Sequence, residues 1–190
     1  MIGVIDYGAG NMHSLGAALD RLGKRHRTVC NPRDMEGVEA LILPGVGHFG
    51  SLMASLDDAS LREPIAAWLR DGRPFLGICL GMQALFAGSE EAVGVAGLQV
   101  FDGVVMRLRD APKLPHMGWN YVAGDVTGYA YFAHSFAAPV ISHTTATAEY
   151  GAPFSAIVRR GMVIGCQFHP EKSGAFGQAV LAEIVGGWGC

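Results

Sequence analysis

The feature that most constrains this chain is a set of very short apolar runs that end in turns rich in glycine. Val4 to Asp6 runs into Tyr7-Gly8-Ala9-Gly10, Ala40 to Leu43 into Pro44-Gly45-Val46-Gly47, and Phe75 to Ile78 into Cys79-Leu80-Gly81. Such runs are too short for helices and do not alternate as half-exposed strands do, so they read as strands buried on both faces. Thr28 to Cys30 adds another short strand. Between them lie helical patterns. Met12, Leu15, Leu19 and Leu22 recur at helical spacing, with Asn11 as N-cap and Gly23 as stop; Leu61 to Leu69 forms a second helix, ending near Gly72. A third is expected from about Gly81 to Phe86. The first half thus reads strand, helix, strand, strand, helix, strand, helix, which implies a parallel sheet with helices on both faces.

The second half changes character. Leu98 to Leu108, Gly118 to Val122, Tyr129 to Phe136, Val140 to Glu149 and Phe154 to Phe168 are rich in Val, Thr, Tyr and Phe and are broken by Gly and Pro. They predict successive antiparallel strands. Phe176, Val180, Leu181, Ile184, Val185 and Trp188 mark a closing amphipathic helix. The expected architecture is one α/β domain over residues 1–190: an open, mostly parallel central sheet with flanking helices and an antiparallel β-rich insertion.

At 50% hydrophobic and 16% charged residues, the 190-residue chain has enough apolar material for a sizeable core. A net charge of −3 argues against an electrostatic nucleic-acid or membrane binder, and the short basic clusters (Arg21 to Arg27; Arg159 and Arg160) read as solvated faces. No apolar run approaches the ~18 residues of a membrane span, and MIGVIDYGAGN lacks the charged start and cleavage site of a signal peptide. Cys30, Cys79, Cys166 and Cys190 form no CxxC or paired Cys/His spacing, so neither a metal site nor a redox dithiol is expected. Scattered cysteines without a signal fit a reducing, cytoplasmic setting.

One of those cysteines stands in a chemically suggestive place. Gly77-Ile78-Cys79-Leu80-Gly81 has the form of a nucleophile elbow, a sharp strand-to-helix turn that projects a side chain above the carboxyl edge of a sheet. The helix N-terminus behind it would favour a thiolate, and the Leu80 N–H would face an oxyanion formed on an attacked carbonyl. Taken alone, the motif equally suits a buried structural cysteine.

The segment GCQFHPEKSG shifts that balance. Ile164 to Phe168 reads as a strand, and His169 and Glu171 flank Pro170, which favours extended backbone; residues i and i+2 then face one side. One segment thereby offers an imidazole to take the thiol proton and a carboxylate to orient the imidazole. The Pro44–Gly47 turn is either an ordinary strand-to-helix connection or, if its strand lies beside that of Cys79, a source of N–H groups near Val46 and Gly47 for a second oxyanion donor. Gln83 lies one helical turn beyond Cys79, placed for a substrate hydrogen bond.

PGVG, GICLGMQ and HPE, in the family's order of oxyanion strand, nucleophile elbow and His-Pro-Glu over nearly the whole chain, resemble the class I (triad) glutamine amidotransferases, and hence a flavodoxin-like sheet. Within that family, IDYGAGNMHSL, LPHMGWN and YFAHSF are similar to the glutaminase subunits of imidazole glycerol phosphate synthase. The resemblance implies that Cys79 attacks the side-chain amide of L-glutamine, that His169 is base and then acid, and that Glu171 orients His169. It also implies an oxyanion hole from Leu80 and the Val46–Gly47 peptide. Gly47, Gln83, His134 and Ser135 become glutamine contacts, with no cofactor or metal. The ammonia would pass to a (βα)8-barrel cyclase subunit, which completes the heterodimer and activates the glutaminase. Asn11, Trp119 and Asn120 are candidates for that interface, although Trp119 is equally suited to a core.

The chain departs from the family pattern at Ala133 and Phe136 of YFAHSF, where bulkier or hydroxylated residues are expected, and is slightly short. Rival readings are another amidotransferase subunit, an autonomous γ-glutamyl hydrolase with the same triad, and a non-catalytic binding module. DYGAGN and HMGWN argue against the first; the complete Cys79, His169, Glu171 set argues against the last.

Overall fold

A computed structural model describes residues 1–189. The chain runs β1 (Ile2–Ile5), α1 (Met12–Arg21), β2 (His26–Val29), β3 (Ala40–Leu43), α2 (Phe49–Asp58), α3 (Arg62–Arg70), β4 (Phe75–Ile78), the single turn α4 (Leu80–Gln83), β5 (Phe86–Ser89) and β6 (Phe101–Arg107). It continues through β7 (His116–Gly124), β8 (Gly128–His134), β9 (Phe136–Ala137), β10 (Thr144–Tyr150), β11 (Ala152–Arg160), β12 (Val163–Cys166) and α5 (Gly174–Gly186).

Nine strands form one sheet in the order β2-β1-β3-β4-β12-β11-β10-β7-β8. The pairs from β2 to β12 are parallel, and those from β12 to β8 are antiparallel. A smaller sheet, β5-β6-β9, packs alongside. The short apolar strands are buried on both faces because alternate residues serve separate cores. Ala40, Ile42, Leu76 and Ile78 join Leu15 and Leu19 of α1 and Leu181 and Ile184 of α5. Leu41, Leu43 and Phe75 join Phe49, Leu52 and Leu56 of α2 and Ile65 and Trp68 of α3. Each such side chain, fully buried, contributes about 1.5–3 kcal/mol of transfer free energy.

The expected mostly parallel sheet with flanking helices and an antiparallel extension is present. Three local expectations change. The pattern Phe49, Leu52, Met53, Leu56 makes α2 a full helix, capped by His48, where the sequence reading had only a glycine-rich turn. The expected helix from Gly81 to Phe86 stops after one turn, because Phe86 to Ser89 leaves to pair with β6. The single run Phe154 to Phe168 divides at Gly161 into β11 and β12, and the second half turns back to lie parallel to β4. This last division positions the site, since it puts β12 and the HPE segment beside Cys79.

Candidate active site

Strands β3, β4 and β12 are adjacent and parallel, with Leu43 opposite Gly77 and Ile78 opposite Cys166. Their carboxyl ends therefore open together, and each carries one part of the site: Pro44–Gly47 after β3, Cys79 after β4, and Gln167 to Glu171 after β12. Open α/β sheets place their sites at such strand ends.

Cys79 sits on the elbow itself, at φ 54° and ψ −110°, a conformation that costs about 1–3 kcal/mol for a residue with a side chain. Close packing holds it there. A Cβ on Gly77 would collide with the carbonyl of Gly81, and a Cβ on Gly81 with the carbonyl of Leu43. The turn is tight enough that neither position admits any other residue without movement. The Cys79 N–H also donates to the Cys166 carbonyl at 2.7 Å, which ties the elbow to β12. Because α4 is only one turn long, the helix dipole expected behind the thiol is small.

His169 and Glu171 are buried together, with side chains only 3% and 4% exposed, and His169 Nδ1 lies 2.9 Å from Glu171 Oε1. Burial works against charge on the imidazole, but hydrogen bonding to Cys79 and to Glu171 outweighs it and raises the His169 pKa to about 10. Glu171 Oε2 is buried with no hydrogen-bond partner among the described residues, so the hydrogen bonding of this carboxylate is directed at the imidazole. Ser173 fixes the backbone of the turn. Its hydroxyl donates to the His169 carbonyl and accepts the Tyr131 N–H at 2.9 Å, while the His169 N–H donates to the Tyr131 carbonyl at 3.0 Å.

The candidate oxyanion donors are differently disposed. Val46 and Gly47 are exposed, and Gly47 has φ 100°. The Val46 N–H donates to the Tyr7 hydroxyl at 3.1 Å, and that hydroxyl lies 3.3 Å from the Val46 carbonyl, which accepts its proton. The Leu80 N–H donates to the Gly45 carbonyl at 3.4 Å. The Val46 and Leu80 N–H groups thus face protein acceptors. Burial pushes the Tyr7 phenol up to about 12, so it keeps its proton at any physiological pH.

Among the other sequence candidates, Gln83 is buried and spends its N–H groups on the Phe136 carbonyl (2.7 Å) and Gln167 Oε1 (3.1 Å). His134 is buried, with Nδ1 2.9 Å from the Phe136 carbonyl and Nε2 3.1 Å from His116 Nδ1. Both side chains face inward, whereas Gly47 is exposed and Ser135 half-buried. Asn11 caps α1 by accepting the Ser14 N–H at 3.3 Å. Asn120 also points inward, onto the Glu149 carbonyl and His116. Trp119, on the opposite face of β7, is 58% exposed, which excludes the core alternative. Cys166 is buried, its thiol pushed up to about 12, and Cys30 is exposed; Cys190 lies outside the described residues. A cleft of about 510 Å³ beside Arg62, Arg70 and Arg160 shares no residue with this constellation.

Sequence reasoning missed Tyr7, Gln167 and Ser173. Gln167 stands two residues before His169 and Ser173 four after it, close enough to have been weighed with the HPE motif. Tyr7 has no local signal, since it meets Val46 only because β1 and β3 are neighbours.

An elbow cysteine beside a carboxylate-paired histidine, at the ends of parallel strands, defines a class of protein, and comparison with known proteins agrees. The glutamine amidotransferase class-I family model matches residues 3–185. Two solved structures share the fold: one titled a glutamine amidotransferase (TM-score 0.79, 21% identity, 97% of this chain and 98% of that one) and PurLQS from Thermotoga maritima (0.77, 19%, 97% of each). The chain is 45% identical over 195 residues to imidazole glycerol phosphate synthase subunit HisH of Synechococcus sp. (strain CC9902), covering 95% of this chain and 91% of the relative. It is 42% identical over 195 residues to the same subunit of Methanothermobacter thermautotrophicus, covering 97% and 98%. The chain belongs to the HisH family of class-I glutamine amidotransferases.

Proposed function

We propose that the chain, acting as one domain over residues 1–190, is the glutaminase subunit of imidazole glycerol phosphate synthase in histidine biosynthesis. It hydrolyses L-glutamine to glutamate and ammonia through Cys79, His169 and Glu171. The observation that carries the residue assignment is the buried His169–Glu171 pair, 2.9 Å apart, on the segment that follows β12, the strand adjacent and parallel to β4, at whose end Cys79 stands.

In this reading the Cys79 sulfur attacks the amide carbon of glutamine and its proton resides on His169. The tetrahedral intermediate collapses as His169 gives that proton to the departing ammonia, leaving a γ-glutamyl thioester. Water, deprotonated by His169, attacks the thioester, and glutamate leaves as the proton returns to sulfur. Glu171 keeps the imidazole in orientation and stabilises its charged form. The oxyanion would be held by Leu80 and the Val46–Gly47 peptide. The carbonyl of that peptide, on Val46, accepts from the Tyr7 hydroxyl, and the Leu80 N–H donates to the Gly45 carbonyl; the hole therefore requires a rearrangement of the loop after β3, and the partner subunit is the natural agent.

The partner is the cyclase subunit, a (βα)8 barrel by family resemblance. Its docking face is supported by the outer side of β7 and β8, where Met117, Trp119, Tyr121 and Tyr129 are exposed and Trp119–Tyr131 and Tyr121–Tyr129 form edge-to-face pairs. That side adjoins the His169 turn through Tyr131, so ammonia released at Cys79 would emerge near the seam. A cytoplasmic setting fits such a metabolic enzyme; no described helix is long and apolar enough to cross a membrane. The test is Cys79→Ala in the reconstituted heterodimer. Glutamine-dependent synthesis should vanish while ammonia-dependent synthesis persists. Retained turnover of glutamine would overturn the assignment of Cys79.

A further inference from the structure

Behind Cys79 lies a line of buried polar groups that the triad does not use. Gln167 is fully buried, and its Nε2 lies 3.7 Å from Cys79 Sγ. Its Oε1 accepts a Gln83 N–H at 3.1 Å, and the other Gln83 N–H reaches the Phe136 carbonyl at 2.7 Å. The same carbonyl lies 2.9 Å from His134 Nδ1, beyond which come His116 Nδ1 at 3.1 Å from His134 Nε2, and Asn120 Nδ2 at 3.3 Å from His116 Nε2. Asn120 Nδ2 also donates to the Glu149 carbonyl at 2.8 Å.

The direction of every bond in this line follows from its fixed members. A carbonyl only accepts, so His134 carries its proton on Nδ1 and accepts at Nε2. His116 must then donate from Nδ1 and accept from Asn120 at Nε2. Gln83 must present its nitrogen to the Phe136 carbonyl, because turning its amide over would set oxygen against oxygen. With Gln83 donating, Gln167 must present its oxygen to Gln83 and its nitrogen to the sulfur. The orientation of one amide beside the nucleophile is therefore dictated, through Gln83, by the Phe136 backbone carbonyl on β9, and each group in the line has a partner.

We propose that Gln167 is a positioning residue for the nucleophile: its Nε2–H, oriented by Gln83, holds the Cys79 sulfur against β12 and stabilises negative charge on it during attack. The proposal rests on Cys79 being the nucleophile. A donor to sulfur is worth most when the sulfur is anionic, so its loss should slow attack without altering how glutamine binds.

The test uses the reconstituted heterodimer, isolated by gel filtration so that unfolded variants are excluded. Gln167→Glu keeps the oxygen that Gln83 needs and removes the donor to sulfur; Gln167→Met removes both at similar length. Each should lower kcat for glutamine about tenfold or more with KM within about twofold, slow alkylation of Cys79 by iodoacetamide by a similar factor, and leave ammonia-dependent synthesis unchanged. Unaltered kcat and alkylation in both variants would overturn the proposal. If neither variant forms the complex, Gln83→Glu, which no longer fixes which way the Gln167 amide faces, must slow alkylation at least about threefold; an unchanged rate overturns the proposal equally. Cys79→Ala run in parallel separates the two readings: if it still turns over glutamine, the nucleophile is misassigned, whatever Gln167 does.

Discussion

At the ends of β4 and β12, Cys79, His169, Glu171 and Gln167 are buried, and their positions are set by bonds that cross from strand to strand. At the end of the adjacent strand, the loop after β3 presents Val46 and Gly47 to solvent, with the Val46 N–H turned onto Tyr7. In the proposed mechanism the first region holds the machinery for making and protonating bonds. The second should stabilise the oxyanion, and its amide donor serves a different acceptor. On the proposed mechanism, the contrast would let such an enzyme keep an assembled nucleophile without consuming glutamine wastefully: the ground-state groups are built in, and the transition-state donor awaits a rearrangement of the loop.

The largest expected effect breaks or upholds this contrast directly. If one oxyanion donor is missing in the free subunit, supplying it should be worth about 10²–10³ in kcat. Glutaminase turnover should therefore rise by about that factor when the cyclase subunit and its ligand are added, with little change in KM. Equal rates with and without the partner would show that the hole is already formed and that the loop after β3 needs no rearrangement.

A smaller effect sharpens the contrast by loosening the loop from within. Tyr7→Phe removes the hydroxyl that both accepts from and donates to the Val46 peptide while retaining the ring. Releasing a bond worth about 1 kcal/mol should raise the turnover of the isolated subunit about fivefold, and the ratio of activated to basal rate should shrink correspondingly. A lower basal rate would mean that Tyr7 supports the loop rather than restraining it.

The two regions also differed in how readable they were. Cys79, His169 and Glu171 announce themselves because each motif is local: a glycine two residues either side of a cysteine, and a His-Pro-Glu triplet, although Pro170–Lys172 form a 3-10 turn rather than the expected extended backbone. Of the interface candidates, Trp119 is exposed, whereas Asn120 beside it alternates inward and is absorbed by the fold. The groups that orient the site were not legible, since their partners are joined only by topology: Tyr7 and Val46 are 39 residues apart, and Gln83 and Gln167 are 84. Gln83 illustrates the consequence. Its helical spacing from Cys79 marks it for substrate, whereas the structure gives its nitrogen to Gln167 and Phe136. The helix α2 was missed for another reason: the turn signals of PGVGHFG hid an apolar pattern, Phe49, Leu52, Met53, Leu56, that is regular in its own right.

A separate expected effect, on stability rather than on rate, concerns the buried histidines. Burial depresses His116 to about 4 and His134 to about 3, from an ordinary 6.5, so both stay neutral in the folded chain. An unfolded chain takes up protons at these positions first as pH falls below about 6.5. Their contribution is therefore intact above 6.5 and is lost progressively toward pH 4 and 3. His169 has the opposite sign: raised to about 10, it adds stability that is complete below 6.5 and lost as pH climbs through 10. The urea midpoint should consequently peak near neutrality and fall on both sides. His116→Gln should flatten the acid limb between pH 6.5 and 4, and Glu171→Gln the alkaline limb. A variant that lowered the midpoint equally at every pH would show that the histidine line holds β7 and β8 by packing alone, and the buried region would then owe its rigidity to shape rather than to the direction of its hydrogen bonds.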